Sequence, residues 1–142
     1  MIDESFINRK ISLIQRDIDR LKQFQGETFD DIAKDWKKYS IIKNLLMEII
    51  GRAIDINQHI ILELSEPKNG PPLDYTETFL KLIDLDVLPK KFGENIARSA
   101  GFRNAVVHGY DDLDETIVYK SIDEAVDQYS QYCEYILNLA KE

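Results

Sequence analysis

The sequence is short of most residue types on which covalent architecture and metal chemistry are built. One cysteine, Cys133, in 142 residues excludes an intrachain disulfide and a thiolate metal cage from a single chain. That thiol is expected to pack as a small hydrophobe. Two histidines, His59 and His108, are too few for a multi-histidine metal site within one subunit, so no metal and no cofactor is expected. Apolar runs such as Ile60-Ile61-Leu62 fall far short of the roughly 20 residues that cross a bilayer. The opening Met1-Ile2-Asp3-Glu4-Ser5 has no basic-then-apolar pattern of a secretory signal, which points to a cytoplasmic protein without a membrane span.

Positive charge is also scarce. There are 18 Lys and Arg against 26 Asp and Glu, for a net charge of -8. Residues 103–142 hold three basic groups against nine acids. That balance argues against a protein that coats nucleic acid, because such affinity comes from neutralising phosphates, but it leaves room for a small local site. Phosphate-binding glycine loops, the dinucleotide fingerprint, the G-x-S-x-G elbow and H-E-x-x-H are all missing. Most of the carboxylates are read as solvated surface charge.

What the chain does have is a 44% hydrophobic content, with six Phe, seven Tyr and one Trp, enough for one core and a single domain over residues 1–142. Its apolar spacing is helical throughout. Ile7, Ile11, Ile14, Ile18 and Leu21 alternate at steps of four and three, predicting a helix over about 4–24. Thr28-x-x-Asp31 is a capping box for a short helix through Ile32 and Trp36. Ile42, Leu45, Leu46, Ile49, Ala53, Ile56 and Ile60 mark a long helix from Tyr39 to Leu64, and the proline-rich stretch from Ser65 to Pro72 is a loop. Asp74-x-x-Glu77 opens a helix that stops near Asp86, Pro89 is a first helical residue, and one helix continues to about Val107, ended by Gly109. Ser121-x-x-Glu124 is a further capping box, starting a last helix that carries Ile122, Val126, Tyr129, Cys133, Ile136, Leu137 and Ala140. The expected architecture is all-α, a bundle of four main helices plus short accessory helices.

The chemistry concentrates in Gly101-Phe102-Arg103-Asn104-Ala105-Val106-Val107-His108-Gly109-Tyr110-Asp111, where a helix runs out. Arg103 and Val107 share a face at i, i+4, so His108 at the helix end can turn back toward the arginine. An Arg–His pair suits phosphate chemistry, since a guanidinium forks onto two phosphate oxygens and imidazole exchanges protons near neutral pH. On spacing alone a plainer arrangement fits as well: Arg103 paired with a carboxylate and His108 capping the helix C-terminus. Elsewhere, Lys90, Lys91, Arg98 and Arg103 against Glu94 give residues 89–103 a local net charge of +3, the best candidate for an RNA-backbone path. His59 reads as a surface or half-buried imidazole. Trp36 and Tyr39 read as core or interface aromatics, and the acids Asp111, Asp112, Asp114 and Glu115 as a solvated turn.

Arg103-Asn104-x-x-x-His108-x-Tyr110 matches the R-x-x-x-x-H-x-Y signature of HEPN-domain proteins of the HepT type, the toxin half of HEPN/MNT toxin–antitoxin pairs. The segment Tyr39–Leu62 resembles that family's long second helix, and Leu88–Asp114 its motif-bearing region. The resemblance implies a HEPN-like helical fold and a metal-independent endoribonuclease acting on cellular RNA, with tRNA a plausible target. It also implies a homodimer that brings two motifs around one groove, and a partner antitoxin of the minimal nucleotidyltransferase type. In such an enzyme the RNA 2′-hydroxyl is the nucleophile. His108 would move protons, Arg103 would hold the developing charge, and Asn104 would orient the phosphate or the histidine. Tyr110 would be the residue the antitoxin AMPylates. The alternative is a non-catalytic helical module that binds a nucleotidyltransferase or positions its substrate.

Overall fold

In the computed structural model, which describes residues 1–65, 73–107 and 115–141, seven helices follow one another. They are α1 (Glu4–Lys22), α2 (Phe29–Ala33), α3 (Trp36–Leu64), α4 (Tyr75–Asp84), α5 (Lys90–Ala97), α6 (Ser99–Val107) and α7 (Glu115–Ala140). The all-α expectation holds, and among the described residues there is no strand. No helix of these is long and apolar enough to cross a membrane. The three long helices α1, α3 and α7 pack together, with α4, α5 and α6 closing the remaining side of α3.

The stripes read from the sequence are the core. Ile7, Ile11, Ile14, Ile18 and Leu21 of α1 are all buried, as are Ile42, Leu45, Leu46, Ile49, Ala53, Ile56 and Ile60 of α3. Two of the capping boxes form as read. The Thr28 side chain accepts from Asp31 N at 3.1 Å and Asp74 from Glu77 N at 2.8 Å, each answered by the return bond to the cap backbone. Gly93 lets α5 lie close against α4, where a Cβ would collide with Ile83.

Four boundaries differ from expectation, each for a local reason. Helix α3 starts at Trp36, because the Asp35 carboxylate accepts from Lys37 N and Lys38 N and caps the helix there. Pro89 is the cap residue itself, with φ -61° and ψ 148°, outside the helix it introduces. The expected helix up to Val107 is two helices, broken at Arg98. There Ser99 Oγ donates to the Ile96 carbonyl at 2.6 Å and meets the Tyr129 hydroxyl of α7 at 2.5 Å. Helix α7 begins at Glu115, so Ser121 is not a cap; its hydroxyl donates back to the Ile117 carbonyl within the helix. The expected stop at Gly109 lies outside the described residues.

Single residues show the same mixture of agreement and difference. Trp36 is 71% exposed, which excludes the core and leaves the interface of the two readings; Lys37 Nζ lies 5.8 Å from its ring centroid. Tyr39 packs partly into the core. Asp17 is fully buried, an exception to the reading of most acids as solvated, because the guanidiniums of Arg16, Arg20 and Arg52 surround it. Cys133 is buried as expected, and burial, with a smaller contribution from Glu134, pushes its thiol up to about 12. His59 is half-buried and its Nε2 accepts from Asp3 N at 3.0 Å, which ties α3 to the start of α1 and leaves that imidazole a structural acceptor.

Candidate active site

Helix α6 carries the first two motif residues, Arg103 and Asn104, both half-buried; His108 and Tyr110 lie outside the described residues. Arg103 sits where α6 meets α3 and the start of α4. Its Cζ is 4.8 Å from the centroid of the Tyr75 ring, a cation–π contact that fixes the guanidinium plane without consuming its charge. On its other flank is Gly51 of α3. A Cβ at position 51 would stand 3.2 Å from Arg103 Nε, so the missing side chain is what gives the arginine room.

Arg103 Nε is buried and has no hydrogen-bond partner among the described residues. Nor does Arg103 form an ion pair among them, so the plainer arrangement with a carboxylate is not seen there. A buried guanidinium donor without an acceptor costs free energy and is tolerated where something else requires it. Here it is a fixed cation with donors to give.

Tyr75 is itself anchored from the core. The Tyr132 hydroxyl of α7 donates to Asn57 Oδ1 at 2.6 Å, and Asn57 Nδ2 donates to Thr78 Oγ1 at 3.2 Å. Thr78 Oγ1 donates in turn to the Tyr75 carbonyl at 2.7 Å. Asn57, Thr78 and Tyr132 are all buried, and this chain joins α3, α4 and α7 behind the arginine's ring platform. Sequence reasoning missed Gly51, Asn57, Tyr75 and Thr78. The available signal was Asn57, which falls on the apolar stripe of the long helix between Ala53 and Ile60.

The basic residues of the expected RNA path are spread out. Lys90 and Lys91 are exposed in the first turn of α5, which holds no acid, although the dipole there favours negative charge. Arg98, exposed between α5 and α6, lines a cavity of about 470 Å³ with Leu46, Ile50, Phe102, Ile117 and Ser121. Arg103 is not among the residues that line it. Among the described residues no cluster of three or more His, Cys, Asp or Glu is placed to hold a metal ion.

The fold defines the class first. It superimposes on the tri-AMPylated HEPN toxin of Shewanella oneidensis, solved in complex with its MNT antitoxin, with a TM-score of 0.81 and 25% identity, covering 97% of this chain and 99% of that one. The architecture is therefore that of a HEPN toxin. Residues 14–136 match the model of the family described as Ribonuclease HepT-like, and the chain belongs to that family. A curated relative, the tRNA nuclease HepT of Aphanizomenon flos-aquae (strain 2012/KM1/D3), is 35% identical over 99% of this chain and 97% of its own length. The mRNA nuclease HepT of Shewanella oneidensis is 26% identical over 92% and 95%.

Proposed function

We propose that this chain is a metal-independent endoribonuclease toxin that cleaves cellular RNA by attack of the 2′-hydroxyl on the adjacent phosphate, with tRNA its target. The observation that carries the reading is Arg103, a guanidinium held by the Tyr75 ring and the open flank of Gly51, with its Nε unpartnered among the described residues. In-line attack gathers negative charge on the non-bridging phosphate oxygens, and a pre-oriented guanidinium binds that charge more tightly than it binds the ground state. His108 transfers the proton between the 2′-hydroxyl or the leaving 5′-oxygen and solvent, and Asn104, next to Arg103 on α6, orients the phosphate or the imidazole. Lys90, Lys91 and Arg98 contribute backbone contacts. The stronger likeness to a tRNA nuclease than to an mRNA nuclease supports tRNA.

One chain supplies one motif histidine, whereas the reaction needs both an acid and a base. The enzyme is therefore a homodimer with its two motifs facing one groove. Its partner is a minimal nucleotidyltransferase antitoxin, which silences it by transferring AMP from ATP to the Tyr110 hydroxyl with release of pyrophosphate. The added phosphodiester and nucleoside repel and obstruct RNA beside Arg103. The test is expression of the chain alone, with RNA fragments examined by end-group analysis. Cleavage to 2′,3′-cyclic phosphate ends that persists in EDTA and disappears in His108→Ala is expected. Intact His108→Ala activity, or strict dependence on added metal, refutes the mechanism. Co-expression with the partner should add adenylyl units that Tyr110→Phe abolishes; adducts elsewhere refute the silencing step.

A further inference from the structure

A second cationic feature lies on the other flank of α3. A groove of about 650 Å³ runs between α1 and α3, lined among others by Arg16, Arg20, Phe24, Asn44, Glu48 and Arg52. Three of these lining residues, the arginines, gather on the fully buried Asp17 carboxylate. Arg52, only 18% exposed, makes the close ion pair to Oδ2. Arg16 Nε and Arg20 Nη1 reach Oδ1 from outside at 3.2 and 3.4 Å, with side chains 43% and 55% exposed. One buried carboxylate is neutralised by one arginine, so the other two exceed what the fold needs. Even with Glu48, which Arg52 Nη2 meets at 3.4 Å, the groove holds three cations against two anions in a chain of net charge -8.

Asp17 also fixes where these cations point. Each guanidinium has five N–H donors, and Arg16 and Arg20, which both line the groove, each use one on the buried acid. Arg16 and Arg20 lie one turn apart on the same face of α1. Phe24 is half-buried in the wall, a ring surface of the kind on which unpaired bases stack, and Gln23 and Asn44 add hydrogen-bonding amides.

The groove and the candidate active site lie on two flanks of the same helix, α3. Gly51 faces Arg103, and Arg52, the next residue, is about 100° further round the helix at the same height. The two arginines therefore flank the solvent face of α3, separated by roughly the 10 Å width of a helix. We propose that the α1–α3 groove is an RNA-backbone subsite, in which Arg16 and Arg20 hold phosphates of the same single strand whose scissile phosphate lies at Arg103, while Arg52 stays paired with Asp17. This rests on the ribonuclease reading above, and it assigns a specificity for strand length that Arg103 alone does not provide.

The test is the full-length double variant Arg16→Gln/Arg20→Gln, in which Asp17 keeps its Arg52 partner and an unchanged melting curve is expected. Binding of a labelled single-stranded oligoribonucleotide is measured by anisotropy in the His108→Ala background across a salt series. Loss of two phosphate contacts should weaken binding about tenfold and reduce the slope of log K against log salt by roughly 1.4. In the active background, KM for long RNA should rise with kcat unchanged, while cleavage of a dinucleotide should be unaffected. Arg16→Lys/Arg20→Lys should restore the salt slope. Unchanged affinity and slope in the Gln variant overturn the subsite. So does a change confined to dimer stability or antitoxin binding, which would make the groove a protein interface. Failure of the wild-type chain to cleave RNA refutes the ribonuclease reading alone, because the anisotropy comparison still decides whether the groove binds RNA.

Discussion

Arg52 and Arg103 stand on opposite flanks of α3 at the same level of the helix, and the fold treats them differently. Arg52 is paired twice, with the buried Asp17 carboxylate and with Glu48 four residues earlier. Arg103 has no ion pair among the described residues; a tyrosine ring and the absence of a side chain at position 51 hold it. An ion pair fixes a guanidinium by cancelling its charge. Ring stacking and steric fit fix it while leaving the charge available. The contrast separates an arginine that serves folding from one that serves a ligand, and it predicts that the two respond to removal in different assays.

The largest effect is expected at Arg103. Arg103→Ala should lower RNA cleavage by about 10²–10³-fold, the usual cost of losing a preorganised charge at a developing oxyanion, with little change in the urea midpoint. Arg52→Ala should do the reverse. Stripping a partner from a buried carboxylate typically costs about 3–5 kcal/mol, and with Arg16 and Arg20 still beside Asp17 the loss should sit near the low end, read by equilibrium unfolding. If Arg52→Ala leaves stability unchanged while abolishing cleavage, the division of labour is wrong.

The support around Arg103 sharpens the comparison at smaller scale. Gly51→Ala places a methyl 3.2 Å from Arg103 Nε, and a guanidinium pushed off its position should cost about tenfold in kcat, with KM nearly constant. Tyr75→Leu should act alike, and Tyr75→Phe, which keeps the ring, should retain most activity. Equal losses for Phe and Leu at position 75 would show that the hydroxyl, not the ring, matters.

How much of this was legible in the sequence follows from the range of each cause. The stripes of α1 and α3 were plain because periodicity is local, and Thr28-x-x-Asp31 and Asp74-x-x-Glu77 announced their own caps. The break at Arg98 was not, because it accompanies a hydroxyl contact between Ser99 and Tyr129, 30 residues away. Ser121-x-x-Glu124 carried the pattern of a cap but lies inside α7, where its hydroxyl turns to the preceding helix carbonyl. The burial of Asp17 was not legible, because its chief partner, Arg52, is 35 residues distant. At the candidate site, R-x-x-x-x-H-x-Y named Arg103, His108 and Tyr110, with Asn104 beside the arginine, but nothing along the chain said that Gly51 and Tyr75 would hold the arginine.

The smallest effects belong to the core side of α7, at Cys133 and its neighbours Tyr129 and Tyr132. Burial raises all three, the thiol to about 12 from 9.0 and both phenols above 10.0, so each is favoured in its neutral form in the folded chain. The unfolded chain ionises the thiol near pH 9.0, and the folded chain not until about 12. Protons are then bound more tightly by the native state, and stability is complete below pH 9 and falls as pH rises through that interval. A melting temperature flat from neutral pH to about 9 and declining above it is expected, with the decline shallower in Cys133→Ala. Native Cys133 should also resist thiol reagents at neutral pH and react on unfolding in urea. Rapid labelling of the folded protein would show that this part of the α7 packing opens readily.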